Sequence, residues 1–469
     1  MTTKVVDTTL GVWPQWVACI IVTLLSISFG LVIGWTSPYL ARLTSHDDLF
    51  HVSNNEASWV AALMPFGRLF GAIAGAIILE YYGSKMALMT TGVPVIVGWI
   101  CIILATSAPW LYVSRTCAGI SIGMFFSCFS LYVGEIASAQ IRGALVSIIM
   151  NGLPIGTLLG NVMGVQVSIM WFGIISLILN ICYVVIFPLL PHTPHYYVRR
   201  NNMDEARRTI QWYHRKSNVE EELEIIGNYV RDSGSMSLRE RLKQIGEKRN
   251  RRVFGIVILL FIFMQLSGLN TVVFYMEIIA KRAQVTSIEP KNVVIIASSV
   301  GILIGWISVY LIDRCGRRVL MSASCCCVIA AMVLLGLHFM LLDLNCDPKK
   351  LEWLPIIAMM LFMMMSIGLI PVPSTLLGEL FPAYLRSIAG FMVSVTSALS
   401  AFVCTITYQP MIDTLTEKYV FGIYAVLMTG CLIFSVTCVP ETKGKTLQEI
   451  QEMLDGRNRS ENSVQTEYG

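Results

Sequence analysis

Long apolar runs without charge alternate along this chain with short charged links. Val17–Leu40 reads VACIIVTLLSISFGLVIGWTSPYL with no formal charge, Met86–Val113 has none, and Gly143–Leu190 has none over 48 residues. A hydrocarbon layer about 30 Å thick demands roughly twenty apolar residues per helix, because every backbone polar group must bond within the segment. One such run can be a buried core helix; a dozen cannot. The pattern predicts twelve spans, near 16–38, 57–79, 86–107, 110–134, 143–165, 168–189, 253–277, 292–312, 318–342, 353–377, 387–408 and 418–438. One long polar stretch separates the sixth from the seventh. The expected architecture is an all-α polytopic membrane protein of two six-helix halves. Residues 1–189 form the first half and 190–252 a linker with short helices. Residues 253–439 form the second half and 440–469 a tail.

Composition agrees with this. Of 469 residues, 14% are charged, against about a quarter in a soluble domain, and the mean hydropathy is +0.66. The placement of charge orients the chain. Pro191–Arg252 carries 14 Lys or Arg against 9 Asp or Glu, and Arg142, Arg314, Arg317, Arg318 and Arg386 lie on the same side. The opposite links hold Asp47, Asp48, Glu56, Asp343 and Asp347. The excess of Lys and Arg in short loops places the linker and both termini in the cytoplasm. The Asn458-Arg459-Ser460 acceptor pattern therefore falls on the side where it is not glycosylated. Within the linker, Met203, Ala206, Ile210 and Tyr213 make one helical stripe, and Leu223, Ile226 and Val230 another. Mixed charge signs beside a membrane favour self-packing or anionic headgroups over nucleic acid. The 13 cysteines lie mostly within spans, which suits small buried hydrophobes better than disulfides or a metal site.

The charged turns repeat. Glu80-Tyr81-Tyr82-Gly83-Ser84-Lys85 follows span two, and Asp313-Arg314-Cys315-Gly316-Arg317-Arg318 follows span eight, six spans later. Glu135 precedes Arg142 by seven residues after span four, as Glu379 precedes Arg386 after span ten. Charges at inner helix ends can simply anchor the termini. Recurrence at matched positions points further, to acid–base contacts that hold the inner side closed and part when it opens. Such internal symmetry suits rocking of one half against the other. Gly71 and Gly75 in span two, and Gly119 and Gly123 in span four, are small residues four apart that permit close helix contact.

Two amides, Gln265 and Asn270, stand five apart in apolar span seven, where an unsatisfied amide is expensive. They either meet a polar solute or glue helices together. Arg68 lies in the middle of span two, and an arginine at that depth is a functional candidate by default. It meets an anionic solute group, serves an outer gate, or lies nearer the interface than the hydropathy suggests.

These motifs resemble the sugar porter family of the major facilitator superfamily, and within it the insect facilitated trehalose transporters. The likeness covers about residues 10–452. It rests on Arg115-x-x-x-Gly119-x-x-x-Gly123, Tyr132-Val133-Gly134-Glu135 with Arg142-Gly143, and Gln265-Leu266-Ser267-Gly268-Leu269-Asn270. It rests also on Asp313–Arg318, Gly378-Glu379-Leu380-Phe381-Pro382 with Arg386, and Pro440-Glu441-Thr442-Lys443-Gly444. Trp35-Thr36-Ser37-Pro38 and Ser58-Trp59-Val60 lean toward the insect branch. The resemblance implies that Gln265 and Asn270 contact sugar hydroxyls and that Phe274 and Tyr275 close the outer side. It assigns Ser374 to a position where the family has tryptophan. It gives Glu80, Lys85, Glu135, Arg142, Asp313, Arg314, Arg317, Arg318, Glu379 and Arg386 to an inner-face gating network.

The chain also departs from the family. Met150, Met264 and Gly301 replace amide donors, Ser397-Ala398 replaces an asparagine–tryptophan pair, and Ser84 replaces an arginine. Each lost hydrogen bond to a buried hydroxyl is worth about 0.5–1.5 kcal/mol net. Asn151, Thr157, Asn161, Gln166 and Thr375 are the polar side chains at hand to compensate. Val32 stands where proton-coupled relatives carry an aspartate, which favours passive uniport. The expectation is a plasma-membrane facilitator of trehalose or a hexose, with the lipid bilayer and a small solute as its partners. No cofactor, metal, nucleic acid or required protein partner is implied. No convergent catalytic cluster points to an enzyme. A transporter-like sensor and a carrier of a non-sugar solute are the alternatives.

Overall fold

A computed structural model describes residues 11–45, 50–138, 140–215, 218–234, 238–381, 383–443 and 449. Some side chains within helices, Asp313 among them, lie outside that description, as does the Asn458-Arg459-Ser460 pattern. Among the described residues the regular structure is all helical. Eleven helical stretches are long and apolar enough to cross a membrane. One of them, Asn54–Ile103, is two spans: Gly83, with φ +83° and ψ 171°, breaks it where the second span meets the third. That brings the spans to twelve. A side chain would strain such a backbone, which glycine adopts freely.

The chain divides into two compact units, Met1–Met236 and Ser237–Gly469. In the first, span one is Trp13–Leu43, span four Ala108–Ile136, span five Arg142–Gln166 and span six Ile169–Leu189. A capping box opens span two, with Ser53 and Glu56 each bonding the other's backbone N–H. Spans two and four pack backbone to backbone. A Cβ on Gly71 would lie 2.0 Å from the Ile120 carbonyl oxygen, and one on Gly123 would lie 2.2 Å from that of Arg68. Spans one and five meet the same way, Gly30 against Leu153 and Gly156 against Ile27. Lipid tails are as apolar as leucine, so helix association in a membrane relies on such close fit.

The linker forms helices Pro194–Arg199, Met203–Tyr213, Val219–Gly234 and Leu238–Ile245. Val198, Ala206, Ile210 and Ile226 make a small core, with Leu223 and Val230 packed against it. Both predicted stripes take part, although Met203 is exposed. Gln15, fully buried at the start of span one, fastens this layer: its Nε2 donates to the Tyr213 carbonyl, and its Oε1 accepts from the Ser138 N–H.

In the second unit, span seven is broken. Lys248–Leu266 and Leu269–Arg282 meet at Gly268, which takes the left-handed φ of +80°. Span eight is Pro290–Cys315, span nine Arg317–Asp343, span eleven Ala383–Leu415 and span twelve Glu417–Cys438. Span ten is also interrupted, as Trp353–Met363, a 3-10 turn Met364–Ser366 and Pro371–Leu380. Gly316, at φ +88°, separates spans eight and nine as Gly83 separates two and three.

Candidate functional site

The break at Gly268 sets the two amides at one place in the second unit. Asn270 Nδ2 donates to Gln265 Oε1 at 2.9 Å, and Gln265 Nε2 donates to Ser397 Oγ in span eleven at 2.9 Å. Gln265 is 2% exposed and Ser397 6%, whereas Asn270 is half-buried. Gln265 is thus the middle of a polar chain and Asn270 its accessible end. The sequence singled out both amides; the spacing alone did not reveal Ser397 as their partner.

The other predicted contacts divide. Phe274 and Tyr275 are each 2% exposed, one turn beyond Asn270, and Tyr275 packs on Tyr408 of span eleven with ring centroids 4.9 Å apart. Ser374 is exposed on Pro371–Leu380. Among the candidates for compensation, Asn151 donates to the Ser147 carbonyl, Thr157 to that of Leu153 and Thr375 to that of Pro371. These are bonds to the preceding turn of their own helices, which satisfy the donor locally. Arg68 is half-buried, 14 residues from the start of its helix at Asn54 and 15 from the break at Gly83. A placement near either interface does not fit that position.

A second buried arginine belongs to the first unit. Arg115 is 2% exposed, donates from Nη1 to the Val32 carbonyl at 2.8 Å and lies 4.1 Å from the Trp35 ring centroid. A guanidinium over an indole face gains cation–π attraction where water is excluded. Val32 has no side-chain acceptor, so its backbone oxygen meets the cation.

The charged turns of the two units use the same plan with different chemistry. In the second unit Arg317 Nη2 lies 2.7 Å from Glu379 Oε1, and Thr442 Oγ1 donates to Glu379 Oε2 at 2.5 Å. Glu441 accepts from the backbone N–H of Arg317 and of Arg318, each at 3.1 Å, while Lys443 Nζ reaches the Arg314 carbonyl. Burial works against ionisation of Glu441, but backbone N–H bonds from Lys443, Arg317 and Arg318 hold its carboxyl below the usual range. In the first unit Ser84 donates its hydroxyl to Glu135, and Lys85 donates to the carbonyls of Pro188 and Leu190 at the end of span six. A lysine against the last carbonyls of a helix is well placed for its dipole. Arg142 and Arg386 each donate to a carbonyl five residues earlier, Ala137 and Phe381. Glu80 and Glu135 line a cavity of about 40 Å³ with Tyr196, Arg199 and Arg200.

With this geometry in place, comparison with known proteins is direct. The model of the sugar (and other) transporter family matches residues 18–454. The chain belongs to that family. A facilitated trehalose transporter of Bombyx mori is 31% identical over 452 residues, covering 96% of this chain and 88% of its own. One from Anopheles gambiae is 31% identical over 456 residues, covering 97% of this chain and 57% of its own. The chain thus spans little more than half of several longer relatives. Among solved structures, the inward-open xylose transporter XylE of E. coli superposes with a TM-score of 0.76 at 19% identity, over 94% of this chain and 99% of its own. The proton:xylose symporter XylE bound to 6-bromo-6-deoxy-D-glucose gives 0.74. That likeness fixes the major facilitator fold.

Within this family member, Glu441 and Thr442 join the charged cluster of Arg317 and Glu379. The sequence showed them only as part of a motif at the end of span twelve, without their partners.

Proposed function

We propose that this protein is a facilitator that moves a neutral, hydroxyl-rich sugar, trehalose or a hexose, down its gradient by alternating access. One observation carries the reading: the Asn270–Gln265–Ser397 chain, a line of amides and hydroxyl that joins spans seven and eleven. A sugar leaving water needs such hydrogen-bonding groups, and buried amides are retained only where they are bonded. The relatives named as facilitated trehalose transporters support trehalose. Passive transport is supported by Val32, whose backbone rather than a carboxylate meets Arg115. Glu277 is a buried acid near the outer end of span seven, and Lys281 engages it at 3.1 Å. The inner-face set from Glu80 to Arg386 serves as the gate, and the plasma membrane with cytoplasmic termini is the setting that the basic inner loops support.

Uptake of labelled trehalose and glucose into vesicles holding the purified protein tests this, with empty vesicles as control and no proton gradient. Saturable uptake that stops at equal concentration is the expected result. Folded protein that moves neither sugar refutes it and directs attention to sensing or to another solute.

A further inference from the structure

Gln265 is placed so that it transmits rather than touches. Its Oε1 takes a hydrogen from Asn270 Nδ2, its Nε2 gives one to Ser397 Oγ, and the side chain as a whole is 2% exposed. Because an amide carries its acceptor and its donor on opposite arms, the partner of one arm decides what the other arm offers. With Nε2 held by Ser397, Oε1 faces Asn270. Asn270 then turns one Nδ2 hydrogen inward, and its Oδ1 is the acceptor it presents to an outside donor. We propose that Ser397 is a positioning residue for solute recognition: by holding Gln265 it aims the Asn270 carbonyl oxygen at the solute, so that the site selects a hydroxyl that donates a hydrogen. This rests on the transport reading above and adds which group orients the amides and which hydrogen-bond polarity they demand.

Ser397 differs from several threonines of the spans in the bond it makes. Thr157, Thr375 and Thr405 bond to carbonyls one turn back in their own helices. Ser397 joins span eleven to span seven, across 132 positions of sequence. Its neighbour Ala398 is fully buried, so the hydroxyl is the polar contact that this pair makes with Gln265.

The test compares the wild type with Ser397→Ala and Ser397→Thr in vesicles, using glucose and its monofluoro-deoxy analogues. Fluorine accepts weakly but cannot donate. The expected result is that the wild type disfavours fluorine at one ring position by about ten-fold in KM, the scale of one hydrogen bond. Ser397→Ala reduces that preference to within about two-fold, and Ser397→Thr, which keeps the hydroxyl, recovers it. An unchanged preference in Ser397→Ala overturns the proposal, as does a fall in Vmax alone. A thermal cycle of Ser397→Ala, Gln265→Leu and the double variant runs alongside. Non-additive melting shifts are expected, because removing one partner strands the other. If the wild type carries no sugar, the transport reading fails on that arm. The cycle then decides the Ser397–Gln265 link, and additive shifts overturn it.

Discussion

Arg317 and Glu379 form an ion pair at 2.7 Å between spans nine and ten, and both side chains are largely shielded, at 11% and 24% exposed. The equivalent contact in the first unit joins Ser84 to Glu135, hydroxyl to carboxylate. Both are charge-assisted bonds of about 1.5–3 kcal/mol, and the ion pair adds attraction between two opposite full charges. The two contacts are therefore unequal, the first unit holding the one without a cation. Ser84→Arg is expected to give Glu135 the stronger contact and to slow inward opening. Vmax for sugar uptake falls several-fold with KM within about two-fold, as initial rates over a concentration series would show. Arg317→Ala is expected to do the reverse to the second unit, lowering its melting temperature by a few degrees.

Glu441 binds two successive backbone N–H groups of the turn after span eight. A Cβ on Gly316 would come within 2.7 Å of that carboxylate, at a φ that disfavours side chains. Glu441→Ala leaves two shielded donors unmet and is expected to cost about 1–3 kcal/mol. Gly316→Ala should be at least as damaging. Thermal unfolding in detergent, followed by tryptophan fluorescence, measures both, and a Gly316→Ala protein as stable as wild type would contradict the placement of Glu441.

The contact of spans two and four leaves no room for a methyl group. Gly71→Ala and Gly123→Ala each drive a Cβ into backbone at 2.0 and 2.2 Å, and overpacking of this kind costs about 1–3 kcal/mol or more. Each is expected to lower folded yield markedly on size exclusion. Gly134→Ala, with open space around it, is expected to behave as wild type.

His195 in the linker titrates well below an ordinary imidazole, at about 4, because burial and the nearby Arg199 and Arg142 oppose its charging, while a bond to the Glu135 backbone pulls weakly the other way. His214, also lowered by burial and by Arg142, lies in the same layer. A histidine whose folded value is depressed contributes stability above its unfolded value near 6.5 and loses it as pH falls toward 4. Melting temperature is expected to drop between pH 7.5 and pH 5, and to drop less in His195→Gln. An equal drop in both proteins would remove His195 as the cause.

The apolar spans were legible because hydropathy reports directly on lipid, and the charged turns because their residues stand together in the chain. Gly83 and Gly316 lay in plain view as glycines in charged turns. Their partners did not, since Glu441 meets Arg317 across 124 positions. The same holds for the amides. Gln265 and Asn270 stand out in an apolar helix, whereas Ser397 is one hydroxyl among many, and only packing distinguishes a serine that bridges helices from a threonine that bonds its own turn. The acid–arginine pairs seven apart suggested mutual contact. A helix end intervenes in each case, so Arg142 and Arg386 turn back to carbonyls while Glu379 finds Arg317 instead.

The left-handed glycine at 268 gives span seven a joint. Gln265 stands on the rod before it and Asn270 on the rod after it, so their 2.9 Å bond is a clasp fastened across a hinge. Its length gauges the angle between the rods: tilting the outer one stretches this clasp before it disturbs the Gln265–Ser397 contact behind it. With Asn270 meeting the solute as proposed above, occupancy and bend become two readings of a single mechanical coordinate.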